Sequence, residues 1–209
     1  MKHSKRLVAA AAAATLLVSL TACGDDGSAG DARAEETAAN GDVFNDADVA
    51  FTTEMIPHHA QALAMVDLTR GRDLSPEVQN LTEDIQAAQV PEIEQMVDWL
   101  NDWDKPVPET MQDHANAEDD GMSGHEMGDD STDMPGMMTN EELDELEAAQ
   151  GQEFETMWLE MMIEHHQGAI EMAKDEQADG VFEAARKLAE SIETSQQAEI
   201  DHMNELLGS

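Results

Sequence analysis

The chain has 209 residues, 47 of them acidic and 10 basic, for a formal net charge of −37. Phosphate binding needs lysine and arginine, so this balance excludes nucleic acid as a partner. The single cysteine, Cys23, excludes an internal disulfide or a thiolate cluster, which leaves His, Met, Asp, Glu and backbone groups as metal donors.

The first element is a lipoprotein signal peptide over residues 1–22. Lys2, Lys5 and Arg6 precede an apolar run over residues 7–20 that is short for a bilayer span, and "LTAC" follows, ending at Cys23. Small residues before a cysteine predict lipidation of Cys23 and a mature chain held at the extracytoplasmic face of the cell membrane. An uncleaved anchor with an incidental cysteine is the alternative. Processing removes three basic residues and no acidic one, leaving 7 basic residues against 47 acidic. Such a surface draws cations toward it, although solubility in salt explains the charge equally well. Residues 23–45 are small, polar and acidic, and predict a flexible tether.

A repeat dominates the remainder, residues 46–208. A shift of 107 residues carries "MIPHHAQALAM" at 55–65 onto "MIEHHQGAIEM" at 162–172, and Gln89, Glu92 and Met96 onto Gln196, Glu199 and Met203. Residues 48–100 and 155–207 are therefore two copies of one unit. In the first, Phe51, Met55, Ala62, Met65 and Val66 recur at helical spacing. Residues 69–73 break the pattern. Ser75 then caps a second helix with Pro76 at its first position, and Val78, Leu81, Ile85, Met96 and Leu100 form its stripe. In the second unit Phe154, Met161, Met162, His165, Ala169 and Met172 form one stripe, and Asp179 is the expected cap of the last helix. "TNEE" at 139–142 fits a capping box opening a short helix that ends near Gly151. Nothing in the sequence predicts a strand. Two amphipathic hairpins bury their apolar faces only against each other, so the expected fold is all-α, a four-helix bundle with approximate two-fold symmetry.

At ~100° per residue, with Met55 at zero, His58 lies near −60°, His59 near +40°, Ala62 near −20° and Met65 near −80°. The histidines flank the apolar stripe instead of lying behind it. Methionine as core filler and histidine as a boundary residue explains one such pair. Four histidines at matched positions need partners, and a metal is the simplest shared one. Met55, His58, His59, Met65, Met162, His165, His166 and Met172 are accordingly candidate ligands. Pro57 lies inside the first helix, where it removes a hydrogen bond and kinks the helix unless a nearby helix end tolerates it. Glu92 and Glu199 lie on an inward face and suggest hydrogen bonding to imidazole N–H or direct ligation, against the alternative of a solvated edge.

The insert over residues 101–138 carries six methionines and two histidines, with "GMSGHEM" offering Met122, His125 and Met127 within a few residues. Thioether is a soft donor suited to Cu(I) and poorly suited to Zn, Mg or Ca. The alternative is a loop whose methionines pack on the bundle, as those of "MPGMM" at 134–138 could.

Taken together, the doubled "MI-x-HH-x-x-A-x-x-M", the "Q-x-x-EI-x-x-M" after each copy and the "MPGMMT-x-EEL" lead-in resemble the DUF 305 (domain of unknown function 305) family over residues 46–207. The resemblance implies a ferritin-like four-helix bundle in secreted or membrane-anchored bacterial proteins and a link to copper, and it implies no enzymatic activity. Glu164 stands where that motif commonly has proline. The leading expectation is thus a lipid-anchored protein that binds copper as Cu(I), for sequestration or for hand-over to a copper transporter or chaperone. The rival is a di-iron enzyme, for which "EIDH" at 199–202 supplies one Glu-x-x-His motif while "EIEQ" at 92–95 lacks the histidine. A metal-free structural or partner-binding bundle is the third reading.

Overall fold

The computed structural model describes residues 34–110 and 134–208. Cys23, Met122, His125 and Met127 lie outside the described residues. Among the latter a two-stranded antiparallel hairpin, β1 (Glu36–Thr37) and β2 (Val43–Phe44), precedes five helices: α1 (Asp46–Asp67), α2 (Pro76–Asp102), α3 (Asn140–Ala148), α4 (Gly151–Asp179) and α5 (Glu183–Leu207). The long helices α1, α2, α4 and α5 form the bundle expected from the repeat.

Local chemistry sets the helix starts. Asn45 and Asp48 form a capping box on α1, Ser75 and Pro76 open α2, and Thr139 with Glu142 caps α3. The helix α1 runs unbroken through Pro57, ten residues short of its last residue, Asp67, so tolerance near a helix end does not explain that proline. Two sequence expectations fail. Asp179 is the last residue of α4, not the cap of α5, whose N-cap position is Phe182. The tether expected over residues 23–45 also fails at its end, because Phe44 stacks on Trp103 with ring centroids 4.6 Å apart and so docks the hairpin on the bundle.

The cap on α5 comes from the other unit. The Asp48 carboxylate accepts from Phe182 N at 2.9 Å and Val181 N at 3.2 Å, besides Asn45 N at 2.7 Å. One repeat length away, Glu155 accepts from Ser75 N at 2.7 Å and from its hydroxyl at 2.9 Å. Phe182 is the repeat equivalent of Ser75. The first helix of each unit therefore holds the start of the other unit's second helix.

The hairpins α1–α2 and α4–α5 meet mainly through α1 and α4, while α2 and α5 touch little. Asn45 Nδ2 donates to Asp179 O at 2.8 Å, His58 packs on His165, and Trp158 Nε1 donates to Met65 O at 2.9 Å. Numbers rise along α1 as they fall along α4, so the two helices are antiparallel and cross at the histidines. The apolar core divides into two clusters. One holds Met65, Leu146, Phe154, Trp158, Met162 and Met203; the other holds Phe44, Met55, Met96, Leu100, Met172 and Ile192. Each fully buried large side chain contributes about 1.5–3 kcal/mol. Arg72 pins α3 to the end of α1: its guanidinium donates to Leu68 O, Ala149 O and Glu147 O at 2.6–2.7 Å and lies 3.9 Å from the Phe154 ring centroid.

Glu176 is buried against Asp48, and no protein donor reaches either of its carboxyl oxygens. Burial first, and then the Asp48 carboxylate, pushes its pKa up to about 9. In the unfolded chain the group ionises near 4.5. The stability that goes with a neutral Glu176 is complete below that pH and is lost as pH rises toward 9. Glu176→Gln is therefore expected to raise the urea midpoint over the wild type by an amount that grows from pH 6 to pH 9. A gain that does not change with pH contradicts this account.

Candidate metal centre

His58, His59, His165 and His166 are all fully buried. The stripe on α1 and its copy on α4 carry them inward, where the two helices cross. The His58 and His165 rings lie against each other, with centroids 3.9 Å apart and planes tilted by 42°. The outer pair is held by carboxylates. His59 Nε2 donates to Glu92 Oε2 at 2.8 Å and His166 Nε2 donates to Glu199 Oε2 at 2.6 Å, so these glutamates hydrogen-bond imidazole and are not a solvated edge.

His58 Nε2 lies 3.0 Å from Pro135 O. A carbonyl only accepts, so this nitrogen carries the proton. The Nδ1 atoms of all four histidines, and Nε2 of His165 as well, have no hydrogen-bond partner in the protein. Buried polar atoms left in that state cost about 1–3 kcal/mol each, which makes them candidate donors to a ligand. In a neutral ring whose Nε2–H is engaged, Nδ1 presents a lone pair, and a carboxylate behind the imidazole strengthens that donor and fixes its orientation.

Burial and the neighbouring His59 depress the His58 pKa to about 3. His165 is held well below its ordinary value of 6.5 by burial and by His58 and His166. Both rings are neutral at pH 7 and can bind a cation without first losing a proton. The stability of these neutral rings is present above the unfolded value near 6.5 and is lost as pH falls toward 3. The urea midpoint of the metal-free protein is expected to drop between pH 6.5 and pH 4, and His58→Leu with His165→Leu to lessen that drop. An equal drop in the double variant contradicts a neutral buried pair.

The motif methionines flank this layer. Met65 and Met162 belong to one core cluster with Met138 and Met203, and Met55 and Met172 to the other with Met96. All four are buried. Among the described residues no three His, Cys, Asp or Glu side chains converge as a metal site, so the structure gathers one imidazole pair and leaves His59 and His166 with their glutamates.

The family model described as "Domain of unknown function (DUF305)" matches residues 48–207. The chain belongs to the DUF305 family. Its fold matches that of a DUF305 protein from Streptomyces coelicolor at 32% identity, with 78% of this chain and 92% of that one covered and a TM-score of 0.64. A DUF305 fragment from Deinococcus radiodurans matches at 28% identity, with 83% and 99% covered and a TM-score of 0.65. CopM in its Cu(II)-bound form matches at 30% identity, with 77% and 95% covered and a TM-score of 0.59, and CopM is also known in Cu(I)-bound and Ag-bound forms. No protein with a curated description matches the sequence.

Sequence reasoning missed three parts of the site in this DUF305 protein. Pro135 O reaches His58, Gln61 clamps Met138 from both sides of its amide, and Gly168 admits the Pro135–Gly136 backbone against α4. A signal was present, because Gln61 and Gly168 occupy one repeat position with unlike residues.

Proposed function

We propose that this DUF305 protein is an extracytoplasmic, lipid-anchored copper-binding protein that takes Cu(I) for sequestration or for hand-over to a copper transporter or chaperone. The observation that carries this reading is the buried His58–His165 pair with three unpartnered ring nitrogens, set between two methionine-bearing core clusters. Neutral imidazole with thioether is a donor set for a soft monovalent ion. The copper- and silver-bound forms of the similar protein CopM support the same chemistry. The lipobox at Cys23 supports the anchor, and the acidic surface favours cation capture. His58 and His165 are the central donors of this reading, with Met55, His59, Met65, Met162, His166 and Met172 around them as further candidates. Met122, His125 and Met127 would add capture sites in the insert.

The di-iron reading finds less support. Glu92 and Glu199 already hydrogen-bond His59 and His166, and no carboxylate-rich cluster forms among the described residues. Titration with Cu(I) against a competing chelator, on the whole chain and on a chain lacking residues 111–133, tests the proposal. Tight binding by both forms, with fewer equivalents in the shortened one, is the expected result. Absence of competition by the whole chain refutes copper binding.

A further inference from the structure

We propose that residues 134–138 form a positioning strap whose Pro135 carbonyl locks His58 in its Nε2–H tautomer, so that its buried Nδ1 is the nitrogen offered to the ion. This rests on the copper reading for its purpose, but not for its geometry.

The strap is built into the fold at three points. Met138 is clamped by one side chain: its N–H donates to Gln61 Oε1 at 2.7 Å, and its carbonyl accepts from Gln61 Nε2 at 2.8 Å. Gly136 has φ +74°, a left-handed backbone that favours glycine, and a Cβ there would lie 2.5 Å from Glu164 O. Gly168 sits beneath the turn, and a Cβ on it would overlap the Pro135 carbonyl itself. The backbone of the strap thus lies directly on α4, one turn from His165, while its carbonyl points to His58 on α1.

The strap breaks the two-fold symmetry of the repeat. Gln61 and Gly168 are equivalent positions, one holding the strap and the other making room for it. His58 and His165 are equivalent too, yet the strap engages the Nε2–H of His58 and reaches neither ring nitrogen of His165. An unconstrained neutral imidazole exchanges between two tautomers, and only one of them presents an Nδ1 lone pair. Locking one ring removes that exchange at His58, and the strap places no such constraint on His165. Gln61, Gly136 and Gly168 are positioning residues that act on the ion only through His58.

The test is two-bond 1H–15N correlation spectroscopy of the histidine side chains in the metal-free full chain, with Cu(I) affinity measured against a competing chelator. Wild-type His58 is expected as the single Nε2–H tautomer. Gly168→Ala should push the strap away, give His58 a mixed tautomer signature and weaken Cu(I) binding about tenfold, the range in which groups behind a ligand act. Gln61→Ala removes the clamp without a backbone clash and should shift both readouts the same way by less, which keeps the test decisive if Gly168→Ala misfolds. A wild-type His58 protonated at Nδ1, or variants that leave the tautomer or the affinity unchanged, overturns the strap. A locked tautomer in a wild-type chain that ignores Cu(I) upholds the strap and sinks the copper reading instead.

Discussion

Replacing His58 and His165 together with leucine is expected to lower Cu(I) affinity by more than a hundredfold while the helices remain. The leucines fill similar volume in a buried site, so the bundle keeps its packing and loses three unpartnered ring nitrogens. Replacing the carboxylates behind the outer pair, with Glu92→Gln and Glu199→Gln, leaves every imidazole in place and should cost about 10–100-fold. The order of the two effects is the point of the experiment. Chelator competition on both double variants, with circular dichroism as the check on folding, measures it. If the glutamine variant loses more affinity than the leucine variant, the centre lies at the His–Glu pairs and not where α1 crosses α4.

The largest effect on stability is expected from Asp48→Ala. Asp48 is fully buried and accepts from Asn45 N, Val181 N and Phe182 N, so its removal undoes the capping box of α1 and the start of α5 in one step. A lost cap costs about 1 kcal/mol, and each buried donor left without an acceptor about 1–3 kcal/mol. Relief of Glu176, which no longer faces a second carboxylate, offsets part of this. A net loss of about 3 kcal/mol is expected, or roughly 6–12 °C in Tm for a domain of this size. Glu155, unlike Asp48, is only partly buried, so Glu155→Ala strips the equivalent contact from Ser75 and should cost about 1 kcal/mol. Thermal melts of the two variants decide: equal losses, or a larger one at Glu155, would mean that Asp48 does not hold both helices.

The bundle was legible in the sequence because its signals are periodic and doubled. The stripe through Met55, Ala62 and Met65 recurs through Met162, Ala169 and Met172, and both copies are buried as that periodicity requires. The inward histidines and the glutamates at 92 and 199 followed from the same geometry. Contacts between distant segments left no such trace. Nothing in the sequence marks Asp48 or Glu155 until the fold brings Phe182 and Ser75 to them. Asp179, the expected cap of α5, ends α4 instead, because a buried carboxylate from the other unit already serves that helix start. The hairpin was missed because two-residue strands are too short to alternate, and Phe44 gains its place only against Trp103. The Pro135 carbonyl on His58 is a backbone contact and carries no residue signature of its own.

The reciprocal grip of Asp48 and Glu155 also says what one half of this molecule would do if severed from its twin. Its own carboxylate would have no helix end to serve, and its own second helix would start without an acceptor. Both needs are met at once by another copy of the same fragment, turned through half a circle. A peptide spanning residues 46–103 should therefore be self-complementary, associating as a symmetric pair instead of persisting alone.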